Sequence, residues 1–571
     1  MHGRFLDTRL APAGGIATNT TGGLAASLFF VSLALACAGS RMGQVWPWAL
    51  SALALLAAGW AGAGHPATTT RFSLAVFAFP VWTAFHTLLV SPAYTPAGLY
   101  HPLLLLLAYA TFRRFDDATE RRAALAALAA GAVLAAWGLA QVGFAGVARA
   151  HALFETPATF AAIVNLLLVP LLALLLVKRQ ESPLLALGVV LAAALFASAS
   201  RGGLLALVAG TCVAMLLAVR AGNLQRRRVL GVLGLLVVGW TLAAGLRVLP
   251  APGGLREAPL SAQEQDESSR SRLELYGASW RAWQERPLAG TGYLTFRYVL
   301  ERDRARVPSY GEASETWFTH NDYLQTLQEL GPLGLAGLLA LVLLPAFTAY
   351  WRLPGLAEGD RAVALAATSA LAATGVHALV DFPFYIPACL VLFGALLGAL
   401  ERRIEGVRAT AASRAPRTHL GRAAGAGAAA IAVILFLKPV LAEAAAEWGL
   451  HRYAGDHAQS AAFWLEAARR LEPADWRYHW YAGQFWDGTA AASGSRDAAS
   501  HANEAFAAGV KANPLEVHNL LGMIALHRRH GRLLAQPADP AALAHWVARA
   551  EALAPRNAVV RRERALLQGS K

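Results

Sequence analysis

The sequence predicts an all-α fold: a polytopic membrane protein with about thirteen transmembrane helices, followed by a soluble α-helical tail. Three observations carry this expectation. Charged residues are 15% of the 571 and hydrophobic ones 56%, whereas a soluble domain carries roughly 25% charged residues. Apolar runs of membrane-spanning length recur, with Lys/Arg clusters between them. Beyond position 442 those runs stop, and Ala-rich amphipathic segments replace them.

A bilayer core takes about 20 apolar residues per helix. That length places spans near 22–40, 45–63, 72–90, 98–112, 123–143, 158–177, 183–200, 202–219 and 229–249, then near 331–350, 362–380, 386–400 and 423–441. The first is read as a retained span rather than a cleaved signal. Mean hydropathy, +0.42, agrees with this pattern. The net charge of +14 does not indicate nucleic acid, because the basic residues sit in short clusters between apolar runs.

Those clusters set an orientation. With the N-terminus inside (Arg4, Arg9), the cytoplasmic loops hold Arg71; Arg113, Arg114, Arg121 and Arg122; Lys178 and Arg179; Arg220 and Arg226 to Arg228; Arg352 and Arg361; and Arg402, Arg403, Arg408, Arg414, Arg417 and Arg422. The short outer loops hold Arg41, Arg149 and Arg201. A bias of 21 to 3 satisfies the positive-inside rule. The organisation expected is a transmembrane region over 1–249, a large periplasmic loop over 250–330 opening with Pro250, Pro252, Gly253 and Gly254, a second transmembrane region over 331–441 and a periplasmic tail over 442–571.

The tail holds a weak repeat. Glu472-Pro473, Asn513-Pro514 and Ala554-Pro555 share one phase, with the prolines 41 residues apart. An amphipathic helix precedes each. This resembles tetratricopeptide-like helix pairs, whose usual period is 34; a generic helical bundle is the competing reading. Either suits docking of a partner protein rather than catalysis.

Within the large loop, residues 319–334 end at a membrane-entering run. Asn321 is a good N-cap, Leu324, Leu327 and Leu330 make one apolar face, and Gly331-Pro332 ends the helix. His320 therefore sits just before a helix N-terminus. That end disfavours a cation, so the position suits an imidazole accepting a proton from a hydroxyl as general base; an ordinary polar loop residue is the alternative. Arg201, in Ser200-Arg201-Gly202-Gly203, lies at the outer end of a span. An ionisable residue at membrane depth is a functional candidate, and Arg suits bidentate phosphate recognition; a snorkelling interfacial arginine is the alternative. Residues 269–283 place Leu273, Tyr276, Trp280 and Trp283 on one helical face, as in a helix lying on a membrane surface. Arg270 and Arg272 near its start can reach a pyrophosphate, or can simply anchor the helix.

Other chemistries find no support. Cys37, Cys212 and Cys389 lie in apolar runs without paired spacing, which argues against disulfide or zinc frameworks. Pro287 to Gly292 lacks the lysine and preceding strand of a nucleotide loop, so no cofactor is indicated. Neither outer segment has an acidic metal motif, and no nucleophile elbow appears.

These residues resemble the O-antigen ligase and polymerase superfamily over roughly 20–400. His320-Asn321, nine residues, then Gly331-Pro-Leu-Gly334 is similar to the ligase signature. Ser200-Arg201-Gly202 and Arg272 before Pro287-Leu-Ala-Gly290-Thr-Gly292 match two further elements. Arg149 to Phe160 resembles an outer-loop element, departing from it at Ala152, where glycine is common. The resemblance implies a GT-C-like membrane fold and a metal-independent glycosyltransferase acting at the periplasmic face of the bacterial inner membrane. Its donor would be an undecaprenyl-pyrophosphate-linked glycan, and its acceptor hydroxyl would lie on lipid A–core. It implies that Arg201 and Arg272 hold the pyrophosphate and that His320 activates the acceptor. Arg270, Asn321, Arg149, His377 and Asp381 would complete the substrate-binding set.

A polymerase of O-antigen or exopolysaccharide, and transfer to a protein Ser/Thr, share these motifs. A lipid-linked glycan flippase is the rival from another class; it fits less well, because no related halves with matching broken helices are visible.

Overall fold

In the computed structural model the residues described are 15–40, 44–61, 70–178, 182–250, 256–258, 261–308, 316–406, 419–455 and 457–569. Arg4, Arg9, Arg41, Arg179, Arg408, Arg414 and Arg417, and the Pro252-Gly253-Gly254 opening of the large loop, lie outside them.

Among the described residues the chain forms twenty-one α-helices and no strand. The first nine are α1 (Gly15–Ala38), α2 (Trp46–Ala61), α3 (Arg71–Leu89), α4 (Ala97–Arg114), α5 (Asp117–Gly143), α6 (Pro157–Val177), α7 (Ser182–Ser198), α8 (Arg201–Arg220) and α9 (Arg226–Val248). The large loop contributes α10 (Ala262–Glu285) and α11 (Phe296–Asp303). Next come α12 (Asp322–Arg352), α13 (Glu358–His377), α14 (Pro387–Ile404) and the long α15 (His419–Ala454). The tail holds α16 (Ala458–Leu471), α17 (Trp476–Ser493), α18 (Arg496–Ala512), α19 (Val517–His530), α20 (Pro540–Leu553) and α21 (Ala558–Gly569).

Each of the thirteen apolar stretches falls on a helix. Among the described residues seven helices are long and apolar enough to cross a membrane: α1, α3, α5, α6, α8, α9 and α12; α2 and α7 are apolar but shorter. The protein is thus a multi-pass membrane protein. α4 and α14 pack along each other, and nearly every side chain of α14 is buried. A helix enclosed by protein needs no lipid-facing apolar surface.

α12 is two helices in one. Gly331 inside it has φ 70° and ψ −172°, a conformation open to glycine but costly for other residues. Asn321 caps its start, accepting the Leu324 N–H at 2.9 Å. The expected stop at Gly331-Pro332 is this break, and the second half runs on as an apolar helix.

The α13–α14 hairpin is fixed at one end by ion pairs. Arg403 meets Glu120 at 2.9 Å and Asp360 at 3.2 Å. Arg113 meets Glu401 at 2.6 Å. These groups come from the ends of α4, α5, α13 and α14, so the far ends of the same helices are held in register. In the tail, Pro473, Pro514 and Pro555 occupy the turns α16–α17, α18–α19 and α20–α21, which makes three successive helix pairs.

Candidate active site

The opposite end of the α13–α14 hairpin collects most of the residues singled out in the sequence. Arg201 is the first residue of α8, whose N-cap Ser200 accepts the Gly203 N–H at 3.1 Å. Ala199, just before it, has φ 48°, so the α7–α8 turn is tight enough to force a left-handed alanine. Arg149, from the α5–α6 loop, reaches across this turn and donates to the Ser198 and Ala199 carbonyls at 3.1 and 3.3 Å. Arg272 projects from α10. Arg201 in turn donates to Ser269 of that helix at 3.2 Å.

These three arginines and Arg247 line a cavity of about 380 Å³, together with Trp240, Ala243 and Ala244 from α9 and Leu204 from α8. Arg247 donates to the Phe196 and Ala197 carbonyls at the end of α7. The cavity is strongly electropositive. Burial, and then the nearby Arg272 and Arg201 charges, push the Arg149 guanidinium below its ordinary range. An anion entering the cavity would relieve that repulsion. Fork-shaped donors converging on one space suit a phosphate or pyrophosphate.

Beside the cavity stands a His–Asp–His constellation. His320 Nδ1 lies 3.4 Å from one Asp381 carboxylate oxygen, and His377 Nε2 lies 3.6 Å from the other. Asp381 is 3% exposed and His377 1%, whereas the His320 side chain keeps 17%. Burial alone would raise the Asp381 carboxyl, but the two imidazoles more than offset it and hold the carboxyl below the usual carboxylate range. A carboxylate at this place can orient a ring N–H of His320 and leave the other nitrogen for a substrate.

His320 has φ 59°. A non-glycine residue in this region carries strain that the surroundings must hold. The Tyr276 hydroxyl of α10 donates to its carbonyl at 3.0 Å, and the Phe382 ring packs edge-on at 4.9 Å. The cavity and the constellation adjoin: a Cβ at Gly202, next to Arg201, would lie 3.1 Å from the His377 ring.

Two sequence elements interlock behind His320. The Thr291 and Gly292 N–H groups donate to the Gln328 and Glu329 carbonyls at 3.1 and 2.9 Å. Side chains at Gly290 or Gly331 would overlap backbone across this junction. Buried Glu329 receives the N–H groups of Leu294, Thr295 and Phe296 at 2.8 to 3.1 Å and the Tyr385 hydroxyl at 2.8 Å. It thereby caps the start of α11. Gln325 accepts the Thr319 N–H at 2.9 Å and donates to the Trp317 carbonyl at 3.2 Å.

The structure thus brings Arg149, Arg201, Arg272, His320, His377 and Asp381 together. Asn321 adjoins them, with its side-chain oxygen engaged as the cap. Arg270 is exposed and does not line the cavity; two residues before Arg272, it lies on nearly the opposite side of α10. Sequence reasoning missed Arg247 because it is absorbed into an apolar run; an arginine in the last turn of a hydrophobic helix was the available signal. Among the described residues no group of three or more His, Cys, Asp or Glu side chains is arranged to hold a metal ion.

A comparison with curated proteins found no match. Against protein families, the segment that spans Arg201, Arg272 and His320 does match: residues 185–339 are similar to the O-antigen ligase family.

Proposed function

We propose that this protein transfers a glycan from an undecaprenyl-pyrophosphate carrier to an acceptor hydroxyl at the periplasmic face of the bacterial inner membrane, as an O-antigen ligase does with lipid A–core. The observation that carries this reading is the four-arginine cavity next to the His320–Asp381–His377 constellation. A reaction that expels a lipid pyrophosphate needs positive charge where the leaving group accumulates negative charge. It also needs a base at the attacking hydroxyl.

In this mechanism Arg149, Arg201, Arg272 and Arg247 bind the donor pyrophosphate. Asp381 orients His320, whose free ring nitrogen accepts the acceptor's proton. The hydroxyl oxygen attacks the anomeric carbon, the bond to the phosphate oxygen breaks, and the lipid pyrophosphate leaves with the electron pair. The arginines supply charge that a metal ion supplies elsewhere, which supports a metal-independent reaction.

The test is transfer by the purified protein from an undecaprenyl-pyrophosphate glycan in the presence of EDTA. Lipid A–core, a growing glycan and a Ser/Thr peptide serve as alternative acceptors. Wild type should form product and His320→Ala should not, and the acceptor consumed names the subtype. Full activity of His320→Ala overturns the assignment of the base. Movement of lipid-linked glycan across liposomes without any transfer overturns the enzyme reading.

A further inference from the structure

The large loop and the tail meet at one arginine. Arg297, in the first turn of α11, lies with its guanidinium carbon 4.1 Å from the centre of the Trp317 ring, 4.5 Å from that of Tyr298 and 5.7 Å from that of Trp476. The same guanidinium donates to Glu516 of the tail at 2.8 Å and to the Tyr298 hydroxyl at 2.7 Å. Asn513 of the tail donates to that hydroxyl at 2.8 Å. Asn513 is fully buried and Glu516 is 6% exposed. The Arg297 side chain keeps 22% exposure, so the junction is half-buried on the loop side and buried on the tail side, where a paired charge counts for more than at the surface.

The tail groups involved are not scattered. Trp476 follows the first proline-marked turn, and Asn513 and Glu516 belong to the second. The turns of consecutive helix pairs thus face the loop, and Arg549 of α20 braces the second turn by donating to the Pro514 carbonyl at 3.3 Å.

On the other side of Arg297, Trp317 precedes His320 by three residues. The irregular stretch between them has its backbone held by Gln325, which donates to Glu329 at 3.0 Å, the residue that caps α11. The segment bearing the strained His320 is therefore held from two sides: by α12 through Gln325, and by the tail through the Arg297–Trp317 stack.

We propose that the helical tail positions the catalytic loop, and that Arg297, clasped by Glu516 and Trp476 and stacked on Trp317, is the positioning residue through which it acts. Arg297 touches no reacting atom in this account. The proposal rests on the reading of His320 as the base.

The experiment compares full-length wild type, Arg297→Ala, Glu516→Ala, the double variant and Arg297→Lys, all in lipid nanodiscs. Two quantities are read: kcat and KM with an undecaprenyl-pyrophosphate glycan, and hydrogen exchange of the backbone amides over 316–321. Arg297→Ala should lower kcat at least tenfold with the donor KM within twofold, and should speed exchange over 316–321. Glu516→Ala should give part of both effects. The double variant should be no worse than Arg297→Ala, and Arg297→Lys, which keeps the charge but not the planar face, should fall between. Wild-type kcat and exchange in Arg297→Ala would overturn the proposal. If Arg297→Ala is not recovered folded, Glu516→Gln carries the same comparison. If wild type transfers no glycan but Arg297→Ala still speeds exchange over 316–321, the coupling stands and the glycan-transfer reading fails.

Discussion

Asp381→Asn isolates the charge between the two histidines while keeping side-chain shape. In wild type one carboxylate oxygen lies 3.4 Å from His320 Nδ1. When His320 takes the acceptor's proton it becomes a cation facing that oxygen. At an effective dielectric of about 20, unit charges at this separation attract by about 5 kcal/mol, an upper bound. Hydrogen bonds to charged groups contribute about 1.5–3 kcal/mol, and each 1.36 kcal/mol is tenfold in rate. The contact is longer than a formed hydrogen bond, and such contacts commonly tighten once substrate is bound. We therefore expect kcat to fall about 10²-fold. The donor KM should change little, because Asp381 does not line the arginine cavity. The assay is single-turnover release of glycan from the lipid pyrophosphate, with thermal unfolding of both proteins as a folding control. A folded Asp381→Asn protein within threefold of wild-type kcat would refute the argument that this carboxylate orients and stabilises the base.

Arg272→Ala should lower single-turnover kcat/KM by about 10–10²-fold, the loss of one charge-assisted phosphate contact, and Arg272→Lys should restore little because the fork is lost; equal rates for all three proteins would remove Arg272 from donor binding. Gly331→Ala forces an L-residue into φ 70° and ψ −172°, a region essentially reserved for glycine, at about 1–3 kcal/mol, and drives its Cβ into the Leu288 carbonyl; the yield of folded protein on size exclusion should collapse, and normal recovery would refute the interlock. Ala152 has φ 50° and is 3% exposed, so Ala152→Gly should keep wild-type turnover, whereas Ala152→Val, branched at Cβ, should not be recovered folded.

What the sequence revealed and what it hid divide along a physical line. Local signals were readable. Apolar runs place helices, and Asn321 and Gly331 mark the cap and the break of α12, because both act on backbone within a few residues of themselves. His320 and Arg201 stood out as polar groups beside membrane-length runs, and Arg272 as a basic residue near the start of an amphipathic helix. Even the departure at Ala152 has a structural counterpart, since the backbone there adopts the conformation that glycine prefers. Contacts between distant parts of the chain were not readable. Nothing local in Arg297 sets it apart from its neighbour Arg302; its role depends on Glu516 and Trp476 arriving from the tail. Nothing local to Glu329 shows that its carboxylate receives the N–H groups at the start of α11. Arg247 vanished inside hydrophobic neighbours, and Arg270 could not be told from Arg272 until the direction of α10 was known.

The clustering of Arg149, Arg201, Arg247 and Arg272 bears on what happens after the bond is broken. On the proposed reading the donor enters as a pyrophosphate diester, and the product left behind is a monoester with an additional ionisable oxygen. The cavity therefore faces its most negatively charged occupant at the end of the cycle, and Coulomb attraction holds that occupant more firmly than the incoming donor. The arginines that assist departure of the leaving group therefore also retain it, and the spent carrier leaves against the strongest attraction of the cycle.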